Sequence, residues 1–158
     1  MTEDGAIVED LEAALADGTV ALVLLSHVNY RTGALADMRA LTEVARRYDA
    51  HVVWDLCHSA GALPVDLRDN CVELAVGCTY KYLNGGPGGV GGAFVHQRHV
   101  ADPALPKLLG WWGTRADTRF EMATTFEAIP TVESWALSNP PILCLAALRA
   151  SLDVFDAW

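Results

Sequence analysis

The chain has 158 residues, 52% of them hydrophobic, which places it among globular proteins of one domain and sets it apart from disordered chains. Its formal net charge of -9, with no cluster of Lys and Arg, counts against nucleic acids and anionic membranes, both of which would repel it, and leaves small-molecule chemistry as the default. No segment approaches the ~18 uninterrupted apolar residues of a membrane span, and Met1-Thr2-Glu3-Asp4 lacks the basic and apolar regions of a signal peptide, so a cytoplasmic protein is expected.

Residues 7 to 17 carry apolar side chains at helical spacing, with Gly18 placed to end the helix. Val20 to Leu25 is continuously apolar, as a strand buried on both faces of a parallel sheet must be, and the polar run Ser26 to Gly33 begins at its carboxyl end. Ligands bind at such ends in open α/β sheets. A helix follows over about Asp37 to Tyr48, with Met38, Leu41, Val44 and Ala45 on one face and Arg39, Glu43, Arg46 and Arg47 on the other. The second strand, His51 to Trp54, runs into Asp55-Leu56-Cys57-His58-Ser59-Ala60-Gly61, and a right-handed crossover puts Asp55 at the same sheet edge as Ser26. After a turn at Pro64 and Asp66, a third strand from Leu74 to Cys78 delivers Thr79, Tyr80 and Lys81. Gly92 to His96 reads as a fourth strand. Ala101 to Asn139 reads as a long loop holding Trp111, Trp112 and Trp135, of a length that is functional or meets a partner. A last helix starts at Ser138-Asn139-Pro140-Pro141, with Ile142, Leu145, Ala146, Leu148, Leu152 and Phe155 as its apolar stripe.

Cys57, Cys71, Cys78 and Cys144 show no C-x-x-C pairing, and each lies in or beside an apolar run, which predicts buried free thiols. No metal site is expected; His96 and His99 read as exposed residues at a strand end. The loop Gly85 to Gly92 lets backbone approach a ligand closely, yet it has neither G-x-x-x-x-G-K-[ST] nor G-x-G-x-x-G between a strand and a helix, which argues against a nucleotide.

Three successive strand ends thus bring a serine, an aspartate followed by a histidine, and a lysine toward one crevice. Lys81 stands between Tyr80 and Tyr82. A lysine in a partly apolar, aromatic pocket loses hydration, which favours its neutral form and suits it to Schiff-base chemistry. The alternative is a lysine that snorkels from a strand end into water. Asp55 at one strand end and Lys81 at the next suit pyridoxal phosphate, the lysine binding the cofactor aldehyde and the aspartate keeping the ring nitrogen protonated. At about 3 Å and an effective dielectric near 20, carboxylate and pyridinium attract by roughly 5 kcal/mol before desolvation is subtracted. Without Lys81, Asp55 reads equally well as a cap on the turn at Cys57 or His58.

At these residues the sequence also resembles the kynureninases, pyridoxal-phosphate enzymes of the aspartate-aminotransferase fold. The matching pieces are the Asp55 to Gly61 run, Tyr80-Lys81-Tyr82-Leu83-Asn84-Gly85-Gly86, Gly110-Trp111-Trp112-Gly113, Arg119-Phe120-Glu121-Met122 and Ser138-Asn139-Pro140-Pro141-Ile142-Leu143, and the likeness covers nearly the whole chain. It implies hydrolysis of L-kynurenine or 3-hydroxykynurenine to anthranilate or 3-hydroxyanthranilate plus L-alanine. It implies an α/β fold, with residues 1 to 158 forming part of a cofactor-binding large domain of mostly parallel sheet flanked by helices.

By the same resemblance Lys81 carries the cofactor and shuttles the α proton, and Asp55 pairs with the pyridine nitrogen. His58 lies beside the ring, Tyr80 reaches the phosphate and helps relay protons, and Ser26 is a further cofactor contact. Trp111 and Asn139 complete the phosphate site from the second subunit of a homodimer. Trp112 stands where the family usually has phenylalanine, and Cys57 where it has alanine. The N-terminal part that stacks on the ring is missing, as is the small domain with its carboxylate-binding arginine, a role that neither Arg119 nor Arg149 matches. The chain alone is therefore expected to expose edges or faces beside those parts, to fold poorly and to be inactive. Two other readings are a cysteine desulfurase or other class V relative, which usually has histidine where Tyr80 stands and glutamine where His58 stands, and a non-catalytic remnant of the fold.

Overall fold

A computed structural model describes residues 7–100, 102 and 105–157. They fall into two compact units, one comprising the chain up to Phe94 and from Ile142 onward, the other Val95–Pro141. No described helix is long and apolar enough to cross a membrane.

In the first unit, α1 (Val8–Leu15) leads to β1 (Leu22–Ser26), α2 (Met38–Arg47), β2 (His51–Asp55), β3 (Leu74–Cys78) and β4 (Gly91–Val95). The sheet order is β1-β2-β3-β4, with β1, β2 and β3 parallel. Helix α2 starts where Asp37 accepts a hydrogen bond from the Ala40 N–H at 2.9 Å, satisfying an amide that the first turn leaves free. Its buried residues are Met38, Leu41, Thr42, Val44 and Ala45, the expected stripe plus one threonine. Thr42 is buried because its hydroxyl accepts the indole N–H of Trp54 at 3.0 Å. Arg47 pairs with Glu12 and ties α2 to α1.

Alternation along the strands decides which residues meet that core. Val23, Leu25, Val52, Trp54 and Ala75 pack with Leu11, Leu15 and α2 into one cluster. Leu22, Leu24 and Val76 point the other way and are 54%, 63% and 41% exposed. The run Val20–Leu25 therefore does not form a strand buried on both faces: α1 and α2 cover one face only. The strand itself begins two residues later than the apolar run and takes in Ser26.

His27, directly after β1, turns back into the core. It is 8% exposed, meets the Trp54 ring edge-on at 6.2 Å, and its Nδ1 has no hydrogen-bond partner among the described residues. Burial pushes its pKa below the usual histidine value. The unfolded chain then binds the proton more readily, so this contribution to stability is intact above about pH 6.5 and fades as pH falls below it. Melting temperature is expected to drop between pH 7 and pH 5 in the wild type and to vary less in His27→Leu; parallel profiles would refute this.

The remaining elements depart from the sequence reading in three places. Helix α4 (Ile142–Asp156) begins after Pro140 and Pro141, not within them, since a residue preceding proline is driven out of the helical region. No residue of α4 is buried, and Ile142 and Leu143 are 76% and 87% exposed, so its apolar stripe is unpacked among the described residues. All four cysteines are free but half-buried, not buried, because Cys57 and Cys78 sit at strand ends and Cys71 in a turn.

The second unit contains α3 (Gln97–Val100) and single 3-10 turns at Trp111–Gly113, Arg119–Glu121 and Val132–Trp135. The chain around Gly110 and Gly113 runs against residues 134 to 137: a Cβ on Gly110 would stand 2.2 Å from the Leu137 Cα, and one on Gly113 2.7 Å from the Ser134 carbonyl. Ser134 is fully buried and accepts a hydrogen bond from Lys107 Nζ at 3.0 Å.

Candidate active site

Ser26 and Asp55 are partners in the β1–β2 register, and Asp55 is paired with Val76 of β3, so all three lie on the sheet face that α1 and α2 leave open. Ser26 is exposed and Asp55 half-buried at the carboxyl ends of their strands. The crossover through α2 thus brings the serine and the aspartate side by side, as the sequence predicts.

Lys81 arrives from β3 through a segment anchored by Thr79. That buried threonine donates its hydroxyl to the Val90 carbonyl at 2.6 Å, and its own carbonyl accepts the Gly85 N–H at 2.8 Å. A Cβ on Gly85 or on Gly89 would each come within 2.9 Å of the Thr79 hydroxyl. These two glycines of the loop let it wrap a neighbouring side chain and fix the residue two places before Lys81.

The Lys81 amine lies 3.1 Å from His58 Nε2 and 5.6 Å from the centre of the Tyr80 ring. His58 is stacked against Tyr30 at 6.1 Å and meets Tyr82 edge-on at 6.5 Å. The structure therefore joins the ends of β2 and β3 through one imidazole, with Lys81 half-buried among aromatic rings and Tyr80 54% exposed. Tyr30 and Tyr82 were not singled out as site residues, because loop side chains that meet across strand ends leave no periodic trace in sequence.

Gly61 holds these two loops together. Its φ is +83°, and a Cβ there would fall 2.8 Å from both the carbonyl carbon and oxygen of Tyr82. Gly61→Ala combines a left-handed backbone with a backbone clash and is expected to cost at least about 2 kcal/mol and to part Lys81 from His58. Chemical denaturation checks the first outcome; a loss below about 0.5 kcal/mol would contradict the close approach.

Asp55 also plays the local role foreseen for it. Its Oδ1 accepts the Cys57 N–H at 2.8 Å, which fixes the carboxylate rotamer at the strand end. The Cys57 sulfur in turn accepts the Cys78 N–H at 3.2 Å. Burial, with the neighbouring Asp55 carboxylate, pushes the Cys57 thiol up to about 11, so at neutral pH it is protonated.

Trp111 and Asn139 belong to the second unit. Trp111 is 41% exposed, touches Trp112 and Phe120 edge-on, and donates its indole N–H to the Arg119 carbonyl at 3.2 Å. Arg119 lies 4.2 Å from the centre of the Trp112 ring and donates to the Trp112 and Thr114 carbonyls, so its guanidinium is spent on its own unit. Asn139 is exposed, two residues before the unit ends.

The sequence matches the family description Aminotransferase class-V over residues 1–157. The chain belongs to the class-V aminotransferase family. Among curated relatives, this class-V chain is 53% identical over 150 residues to the kynureninase of Salinispora tropica, covering 95% of this chain and 35% of that protein. It is 53% identical to the kynureninase of Myxococcus xanthus, over 87% of this chain and 32% of that protein, and 46% identical to that of Nematostella vectensis, over 94% and 32%. The chain spans about a third of the length of the curated relatives it matches. Solved structures of similar fold include the cystine C-S lyase C-DES in complex with cysteine persulfide (TM-score 0.75, 24% identity, 96% of this chain and 42% of that one). Another is the cysteine desulfurase of Thermococcus onnurineus (0.72, 19%, 99% and 38%).

Pyridoxal phosphate is the cofactor that goes with this family. The residues present fit it. A half-buried amine stands ready for its aldehyde, and on the open face of the sheet a carboxylate suits a ring nitrogen beside an exposed hydroxyl suited to a phosphate.

Proposed function

We propose that the protein containing this chain uses pyridoxal phosphate to hydrolyse L-kynurenine or its 3-hydroxy derivative, giving anthranilate or 3-hydroxyanthranilate and L-alanine. The observation that carries this reading is the 53% identity to a kynureninase across 95% of the chain. The desulfurase and lyase structures share the fold at 19% and 24% identity, which supports no particular activity.

When bound, pyridoxal phosphate supplies an aldehyde for an amine to capture and an electron-poor ring that takes up charge from the substrate α carbon. Lys81 provides the amine and afterwards carries the α proton. His58 Nε2, 3.1 Å from that amine, shares the proton with it. Asp55 holds positive charge on the ring nitrogen, its orientation fixed by the Cys57 amide. Tyr80, beside the amine, turns its hydroxyl toward the phosphate, as does Ser26, and Trp111 and Asn139 serve the same phosphate from the partner subunit of a homodimer. One water is consumed: its hydroxyl adds to the γ carbonyl carbon, the Cβ–Cγ bond breaks, and a proton is returned to Cβ, leaving an aryl carboxylate and alanine. In this reading residues 1 to 158 are part of the large, cofactor-binding domain of a cytoplasmic enzyme.

Borohydride reduction with pyridoxal phosphate, followed by peptide mass mapping, is expected to label Lys81. Kynurenine is expected to release a fluorescent aminobenzoate. A label at another lysine removes the catalytic assignment. Release of alanine from cysteine, with no product from kynurenine, moves the protein to the desulfurases.

A further inference from the structure

We propose that Cys57 is a positioning residue for Asp55, its thiol linking the carboxylate at the end of β2 to the backbone at the end of β3, from which Lys81 is delivered. The inference rests on the reading above, in which Asp55 faces the ring nitrogen of the cofactor.

Residue 57 meets its neighbours at four points. Its N–H donates to Asp55 Oδ1 at 2.8 Å, and its thiol lies within hydrogen-bonding reach of the same carboxylate. Its sulfur accepts the Cys78 N–H at 3.2 Å, and its carbonyl faces the Cys78 thiol at 3.9 Å. A neutral thiol can donate and accept at once, which a thiolate cannot, and this one is kept protonated by burial and by the anion beside it. The consequence is chemical as well as geometric. A donor directed at Asp55 draws negative charge away from the side of the carboxylate that faces the ring nitrogen. It also fixes the carboxylate against β3, so that the anion and the incoming lysine keep one spacing.

Two measurements on the full-length protein test this. The first needs no cofactor: alkylation of Cys57 by iodoacetamide at pH 8, followed by peptide mass spectrometry to separate it from Cys71, Cys78 and Cys144. In Asp55→Asn the anion is gone, the thiol ionises more readily, and the rate is expected to rise by about tenfold for each unit its pKa falls. Equal rates in the two proteins would overturn the tie between Cys57 and Asp55.

The second follows the visible absorption of the cofactor-loaded protein against pH. In Cys57→Ala the ring nitrogen is held more firmly positive and repels the proton on the nitrogen joined to Lys81. The midpoint is expected to fall on the order of half a pH unit, and Cys57→Ser, which restores a donor, to return it toward the wild type. Superimposable titrations of wild type and Cys57→Ala would overturn the positioning role. A protein that takes up no pyridoxal phosphate defeats the functional reading, while the alkylation rates still decide the Cys57–Asp55 tie.

Discussion

Replacing Lys81 by alanine is expected to lower kcat for kynurenine cleavage by at least about 10³-fold and to abolish covalent retention of pyridoxal phosphate. The argument is local. The Lys81 amine lies 3.1 Å from His58 Nε2 and 5.6 Å from the Tyr80 ring centre, and no other lysine is placed at a strand end of this sheet among the described residues. The side chain is half-buried and contributes little packing, so the folding free energy should change by less than about 1 kcal/mol. Steady-state kinetics and a urea titration on the same preparation separate the two effects. A variant that keeps a tenth of wild-type kcat would remove Lys81 from the chemistry. His58→Ala is the companion measurement: it removes the proton partner but leaves the amine, so kcat falls while borohydride labelling persists.

The largest stability effect is expected at Trp54. Its side chain is fully buried, donates its indole N–H to Thr42 at 3.0 Å and meets His27 edge-on, so it joins β2, α2 and the end of β1. Truncation to alanine leaves a cavity and deprives the Thr42 hydroxyl of its donor, at a cost of about 3–5 kcal/mol. Typical domains hold only about 5–15 kcal/mol in all, so soluble yield should fall sharply. Trp54→Phe keeps most of the volume and loses the hydrogen bond, and should lie between the two. Denaturant midpoints at constant slope measure the series, and a Trp54→Ala loss below about 1 kcal/mol would show that this ring does not hold the core.

Much of this arrangement could be read from residue order. The stripe Met38, Leu41, Val44, Ala45 and the cap at Asp37 define α2 because a helix repeats every 3.6 residues and its first amides need an acceptor. The apolar runs ahead of Asp55 and Lys81 locate two strand ends, and parallel crossovers with one hand then place Ser26 beside Asp55. What escaped was of two kinds. A continuous apolar run looks the same whether one face of a strand is covered or both, so the exposure of Leu22 and Leu24 was not legible. Contacts between loops have no period at all: the His58–Lys81 approach, the wrapping of Thr79 by Gly85 and Gly89, and the Arg119 stack on Trp112 are set by tertiary geometry. The glycines illustrate the difficulty, since a Gly-rich loop that holds a threonine and one that holds a phosphate are written with the same letters.

The bare side of the sheet, with Leu22, Leu24 and Val76 facing water, is also the side that carries Ser26 and Asp55. Water around an anion weakens its hold on any cation: at 4 Å, opposite unit charges attract by about 1 kcal/mol in bulk solvent and by about 4 kcal/mol at an effective dielectric of 20. A polypeptide layer laid over those leucines would dry the aspartate as it buried the hydrocarbon. One assembly step would then both shield the greasy surface and strengthen the carboxylate's grip on a protonated ring, so that the charge pair forms at full strength only once the fold around it is closed.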